Sequence, residues 1–386
     1  MEHEQLPAKL RFLKILITNA YLATYGGTQV VVRDLACELT RQGHQVAVYC
    51  PEAGAVADEI RGHGIPVAHK LTSLNFVPDI IHGQFHLPAM EALLRFPDVP
   101  AIYCQHAAAG ASDEPFYFPR FLRYVAVDDR CRKRLEDTSN IPHDRIQLIL
   151  NAVDLNRFQP RGPLPASPRR ALIFSNNASE STYVPEVREA CRESGLDVDV
   201  VGLGSSNPTA RPEAMLPDYD IVFAKARSAL EAMAVGASVI LCDMPGLGSM
   251  VNTRDFDRLR SMNFGAGVLD KPLRVDAIRA EIKRYDPCEA AKVCARVRNE
   301  AGIVESTRRW VKVYSEVIEE FAQTSHDRDT EFDALVAYLR KPGFDDRVEW
   351  ERRQLQKLKS IPVVGNGVFR LARRFFMRWT GNFGLR

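Results

Sequence analysis

The chain is 386 residues long, which suits two domains and an appendage better than a single core. Lys and Arg total 51 against 49 Asp and Glu, and the resulting net charge of +2 excludes a chain-wide binder of nucleic acid or acidic polymer. Eight scattered cysteines without a C-x-x-C pair read as reduced core residues of a cytoplasmic protein, and no apolar run reaches the length of a membrane span.

Residues 1–12 carry acids and no apolar stretch of signal length, so secretion through a leader of that kind is not expected. Residues 12–18 (FLKILIT) form a continuous apolar run and predict a strand. A loop with Tyr25, Gly26, Gly27 and Thr28 follows, then a helix over 28–42 and a second strand over 45–49, which together make a βαβ unit. Paired glycines let backbone amides approach a ligand, and a helix start favours negative charge, so a pyrophosphate fits there. A purely steric role for the Gly-Gly turn stands beside that reading. Further strands are predicted at 78–82, 101–104, 124–127 and 146–150, completing a doubly wound domain over 1–160. His106 ends the second of these runs, at the edge where ligands lie in such sheets; a structural histidine is the competing reading. His82 and His86 have i,i+4 spacing, but Gly83 and Pro88 argue against one helix, so both read as loop residues and not as metal ligands.

Residues 159–170 hold four prolines and a glycine without apolar periodicity, and read as a linker. A second series of strands follows at 171–175, 197–201, 221–223 and 238–241, giving a second doubly wound domain over 161–305. Gly202 and Gly204 follow a strand, but Asn207 stands where a dinucleotide fingerprint needs its third glycine. A short helix ending at Gly236 carries one acid, Glu231, among Leu230, Ala232, Met233 and Ala234. A carboxylate in that setting costs free energy unless it is paired, which makes it a candidate ligand contact. Lys225 and Arg227 enter the same helix and suit a phosphate, with solvated cations as the alternative. Gly246, Leu247 and Gly248 read as a glycine-bearing loop that admits a phosphate or base; Arg258 and Arg260 are weaker candidates. No D-x-D pair occupies a loop, since Asp197 and Asp199 fall in a predicted strand, so no metal site is expected.

The pattern from 289 to 321 is helical, with Trp310, Val313, Tyr314 and Val317 on one apolar face. Residues 325–360 are charged and helix-like, and 361–386 hold five arginines and no acid. A helix there would set Phe369, Phe375, Phe376 and Trp379 opposite Arg370, Arg374 and Arg378. Such a basic amphipathic face suits an anionic membrane surface, or packs its aromatics on the protein's own body.

Three segments resemble nucleotide-sugar glycosyltransferases of the GT-B fold, in particular the retaining family-4 group. They are 26–51, the N-A-V-D-x-x-x-F-x-P element at 151–160, and E-A-M-A-x-G from Glu231 onward. The resemblance implies an α/β protein of two Rossmann-like domains facing a cleft, a helix over 306–324 crossing back to the first domain, and a tail over 325–386. It further implies that Glu231 grips the ribose of the sugar nucleotide, that the Gly26 to Thr28 loop contacts the phosphates or sugar, and that His106 stands near the reacting carbon. The implied partners are a nucleotide sugar and a glycan or lipid-linked acceptor, at the inner face of the cell membrane, in cell-envelope or surface polysaccharide synthesis. No cofactor is implied, because the sugar nucleotide is the donor substrate itself. Two departures stand out: Phe223 occupies the position of a second family glutamate, and the basic pair after the domain's first strand is replaced by Ser175, Asn176 and Asn177. Lys225 and Arg227 are expected to replace those charges. An epimerase of the same fold and a catalytically silent relative are the alternatives, and a nicotinamide oxidoreductase is a poorer one.

Overall fold

The structure is a computed structural model and describes residues 12–110 and 113–340. A first unit runs to His326 and a second begins at Asp327.

The first unit opens with a parallel sheet. Its elements are β1 (Lys14–Thr18), β2 (Tyr21–Leu22), α1 (Gly27–Arg41), β3 (Gln45–Tyr49), β4 (Glu52–Ala53), α2 (Ala55–Gly62) and β5 (Val67–Ala68). They continue with β6 (Ile80–Gln84), α3 (His86–Arg95), β7 (Ala101–Gln105), β8 (Phe121–Ala126), α4 (Asp129–Glu136) and β9 (Ile146–Leu148). Seven strands pair in the order β5-β3-β1-β6-β7-β8-β9, all parallel, while β2 and β4 form a small pair of their own. The central strands are buried on both faces because helices cover both: every residue of β6 and of β7 is buried, His82, Gln84 and Gln105 included.

A second sheet follows, built from β10 (Arg170–Phe174), α5 (Val184–Glu193), β11 (Asp197–Val201), α6 (Pro212–Met215), β12 (Ile221–Ala224), α7 (Ala226–Val235), β13 (Ser238–Asp243) and β14 (Gly246–Met250). Around it lie α8 (Phe256–Ser261), α9 (Val275–Ile282) and α10 (Pro287–Glu300). Its order is β11-β10-β12-β13-β14, with only β14 antiparallel to its neighbour. Strand periodicity splits the core in two. Leu172, Val222, Val239 and Leu241 pack with Leu230 and Met233 of α7, whereas Ile173, Ile221, Phe223 and Ile240 pack with Val187 of α5 and Ile278 of α9.

Helix α11 (Ile303–Gln323) returns to the first sheet, burying Trp310, Val313, Tyr314 and Val317. The Tyr314 hydroxyl lies 2.7 Å from His82 Nδ1, and Arg123 pairs with Glu320 at 2.6 Å. The helical pattern of 289–321 is two helices: it breaks at Ala301 and Gly302, where Ala301 O accepts from Val153 N and Ile303 N donates to Val153 O. In the second unit Asp327 caps α12 (Arg328–Leu339) by accepting from the amides of Asp329 and Thr330. The predicted basic end of the tail, 361–386, lies outside the described residues. Among the described residues no helix is long and apolar enough to cross a membrane.

Two sequence-based expectations are corrected. His82 is not a loop residue but the fully buried third residue of β6, and His86 opens α3, so the strand simply runs on past Gly83. Gly246, Leu247 and Gly248 are not a ligand loop but strand β14. A Cβ at Gly246 would meet the carbonyls of Leu269 and Lys271 at 2.9 Å, and one at Gly248 the Val268 carbonyl at 2.8 Å, so these glycines serve close backbone packing.

Candidate active site

Strand order reverses between β1 and β6 in the first sheet and between β10 and β12 in the second, the two places where such sheets leave a crevice. A cavity of about 280 Å³ lies between the loop entering α1 and the carboxyl ends of β10, β11, β12 and β13. Tyr25, Gly26, Gly27 and Arg33 line one side; Asn176, Asn177, Gly202, Lys225, Arg227, Glu231 and Asp243 line the other. The two sides touch where Asn176 Nδ2 donates to the Tyr25 carbonyl at 2.8 Å.

A single residue, Lys225, joins β12 to α7. Ala226 then adopts φ 48°, a left-handed conformation unusual for a side chain with a Cβ, held by its N–H donating to Phe264 O at 2.7 Å. The turn sends the two flanking cations apart. Lys225 Nζ pairs with Asp243 Oδ2 at 2.8 Å, and Asp243 also accepts from Ser175 Oγ at 3.0 Å and Asn177 Nδ2 at 2.9 Å. Arg227 turns to the opposite domain: it pairs with Asp34 of α1, while its Nε donates to Glu231 Oε1 at 2.8 Å. Asp34 is held in turn by Arg33, whose Nε donates to its Oδ1 at 2.7 Å, and Arg33 reaches both oxygens of Glu59 at 3.2 Å.

Burial works to raise the carboxyl of Asp34, but Arg227 and Arg33 outweigh it and hold the group below its ordinary value as an anion. Glu231 goes the other way. Its burial raises its pKa, Arg227 opposes that, and the negative charge of Asp34 adds to the rise. Among the described residues Glu231 Oε2 has no hydrogen-bond partner, so one carboxylate oxygen is committed to Arg227 and one remains for a ligand.

Of the residues singled out in the sequence, Gly26, Gly27, Lys225, Arg227 and Glu231 are brought to one cavity, while Thr28, Gly246, Leu247 and Gly248 are not among its lining. A Cβ at Gly26 would meet only the side-chain end of Gln29, which can move aside, and Gly26 has φ −94°, so local sterics alone do not demand glycine there. The expectation that Arg227 is a cation awaiting a diphosphate is corrected: it is 7% exposed, and its guanidinium is committed to Asp34 and Glu231. Arg260 is likewise spent, donating to Asn151 O at 2.6 Å and to Asn263. His106 lies apart, in a small recess with His82, Gln84, Trp310 and the same Arg227. Its Nε2 is 3.3 Å from Cys104 Sγ, and burial pushes its pKa down to about 4, so it is neutral at pH 7.

Sequence reasoning missed Asp243, Arg33 and Arg157. Asp243 ends a buried strand run, a position that was open to notice; the other two look like ordinary helix and turn cations until the domains meet. The Phe223 departure also changes meaning. The residue is fully buried within β12, on the face covered by α5 and α9, so that position does not look into the cavity at all.

Residues 25–157 match the family described as Glycosyltransferase Family 4. No curated protein sequence matches the chain. Among solved structures, a glycosyltransferase from Rickettsia africae ESF-5 is similar over 80% of this chain and 99% of its own, with TM-score 0.59 at 15% identity. The HepE protein of Anabaena, solved in complex with UDP and glucose, is similar over 79% and 100%, with TM-score 0.57 at 14% identity. Sucrose-phosphate synthase of Thermosynechococcus elongatus is similar over 80% and 100%, with TM-score 0.52 at 13% identity. The fold is therefore the GT-B fold of the glycosyltransferases, and the first domain carries the family-4 sequence signal.

Proposed function

We propose that the chain is a retaining glycosyltransferase that moves a sugar from a nucleotide diphosphate sugar to an acceptor hydroxyl. The observation that carries this reading is the cavity at the facing switch points, with Glu231, Lys225 and the Gly26-Gly27 amides gathered around it. Such chemistry needs the donor's anomeric carbon held against the acceptor and the departing diphosphate stabilised. Glu231 would accept from the ribose; Lys225 has donors beyond the one on Asp243 and, with the loop amides, would take the diphosphate. In this reading the leaving phosphate accepts the acceptor's proton on the same face, so no carboxylate nucleophile is required. His106, neutral and in the first domain, lies in a recess beside the cavity rather than in its lining, and its closeness to the sugar rests on the family resemblance alone. No metal is invoked, because Asp197 and Asp199 belong to β11 and not to a loop. The HepE complex with UDP and glucose supports a sugar nucleotide as the class of ligand.

The further reading is a role in cell-envelope or surface polysaccharide synthesis, with residues 361–386 bringing the cleft to an anionic membrane surface and a lipid-linked acceptor. Clustered arginines near anionic lipid contribute about 1 kcal/mol each. Vesicles rich in phosphatidylserine should retain the full chain, less so at high salt, and should release a chain ending at Ser360.

A second reading has one specific observation behind it. The four cations lining the cavity, Arg33, Arg157, Lys225 and Arg227, are each paired, and their partners Asp34, Glu59, Glu213, Glu231 and Asp243 outnumber them. With each of these cations already neutralised, little positive charge is left to stabilise a departing diphosphate, which favours a relative without turnover. Incubation with a panel of nucleotide sugars and chelator, followed by product analysis, decides between them. Transfer or donor hydrolysis above the buffer rate supports the enzyme; binding without turnover supports the silent relative; an altered nucleotide sugar without acceptor would make it an epimerase.

A further inference from the structure

Asp34 was not singled out in the sequence, yet its carboxylate pairs across the cleft with Arg227 of α7, the helix that carries Glu231; the Ala152 carbonyl also accepts from Arg227 Nη1, at the longer distance of 3.5 Å. It stands on α1, 193 residues before Arg227, and both are buried, at 7% exposure each. A guanidinium is a rigid planar fork, so fixing one end on Asp34 fixes the direction of Nε at the other. Nε donates to Glu231 Oε1 at 2.8 Å, and Glu231 sits one turn along α7, at i+4 from Arg227. Asp34 cannot swing to follow a displaced Arg227, because Arg33 holds its Oδ1 from the other side and is itself tied to Glu59 of α2. The chain of contacts thus runs from the first domain, through Arg227, to one oxygen of Glu231, and leaves the other oxygen to the cavity.

We propose that Asp34 is a positioning residue for the donor: by fixing Arg227 it orients the Glu231 carboxylate toward a ribose diol, so that ribose recognition on one domain depends on a charge carried by the other. The inference rests on the reading of the cavity as a nucleotide-sugar site. It accounts for Arg227 being buried and doubly paired at the start of α7 while Lys225, the junction residue just before that helix, is half-buried and faces the cavity.

The test compares UDP, GDP and ADP with their 2′,3′-dideoxy counterparts by calorimetry on the full chain, which isolates the ribose from the base and phosphates. A nucleotide that binds should be preferred by about tenfold or more over its dideoxy form, the scale of a hydrogen bond to a charged group. Asp34→Asn should cut that preference to about threefold or less, although the residue is in the opposite domain. Arg227→Lys, which keeps the charge and loses the fork, should do the same, and the double variant should lose no more than either single one. Melting temperatures identify any variant that fails to fold, and two independent single variants keep the test decisive. Equal loss of affinity for both nucleotide forms, leaving the preference intact, would overturn the proposal and make Asp34 a mere brace between domains. Additive losses in the double variant would overturn it too. If no nucleoside diphosphate binds the wild-type chain, the nucleotide-sugar reading itself fails and the proposal falls with it; binding without any ribose preference overturns only the role given to Glu231 and Asp34.

Discussion

Lys225 Nζ stands 2.8 Å from Oδ2 of Asp243, a carboxylate with no exposed surface. Burial acts to raise the pKa of Asp243, but the charge and hydrogen bond of Lys225, with help from Asn177, hold it below its ordinary value. A carboxyl depressed on folding adds stability above its unfolded pKa, and that contribution is lost as pH falls through the folded one. Lys225→Met should therefore lower stability at pH 7 by about 1 to 3 kcal/mol, the cost of leaving a buried polar group short of a partner. It should also flatten the loss of stability in acid, because a carboxyl no longer held down by Lys225 binds its proton in the folded state and gives up less stability as pH falls. Urea unfolding at pH 7 and pH 4 checks both effects: the gap between wild type and variant should narrow at the lower pH, and an unchanged midpoint at pH 7 would remove the pair from the stability argument.

Glu231→Ala should weaken nucleoside diphosphate binding by about 1.5 to 3 kcal/mol, the range for hydrogen bonds to a charged group. Arg227 keeps Asp34 in this variant, so the domains stay joined and the loss reports the ligand contact. Calorimetry on the folded variant is the measurement. Unchanged affinity would take the ribose away from Glu231.

His82 has no exposed surface, and burial, with His106 nearby, pushes its pKa down to about 3. The neutral ring is therefore favoured in the folded state, and the unfolded chain binds one more proton between about pH 3 and the ordinary value near 6.5. Through that window stability should rise with pH, by up to about 1.4 kcal/mol per pH unit from this residue. His82→Gln should flatten the slope of unfolding free energy between pH 4.5 and 6.5. A slope unaffected by the substitution would assign it to other groups.

The sheets were legible because parallel strands buried on both faces announce themselves as apolar runs, as residues 14–18 and 238–243 do. Glu231 was legible for a related reason: a lone acid in an apolar helix breaks the pattern. Its partner was not. Asp34 sits in α1 among residues that read as an ordinary amphipathic helix, and nothing in the sequence marks it as the anchor of Arg227 across the cleft. Gly246 and Gly248 misled for a different reason. Glycines that let a loop carbonyl approach a strand look the same in sequence as glycines that let a phosphate approach a loop.

Phe223 offers the most direct test of how the family pattern maps onto this chain. Counting back from Glu231 puts a glutamate of the pattern there, yet the residue lies within β12, paired in register with Ile173 and Ile240 and packed in the core beneath α5 and α9. The one-residue junction at Lys225 leaves no loop to carry that position into the cavity. Phe223→Glu should therefore restore nothing. It places a carboxyl among apolar side chains, removes a large packed ring, and should destabilise the fold by about 3 to 5 kcal/mol or more. Phe223→Leu, which keeps the apolar character, should cost less and leave nucleotide binding unchanged. Melting temperature and nucleotide affinity measured on both variants decide the matter: a folded Phe223→Glu protein with tighter binding or higher turnover would mean that the position reaches the cleft after all.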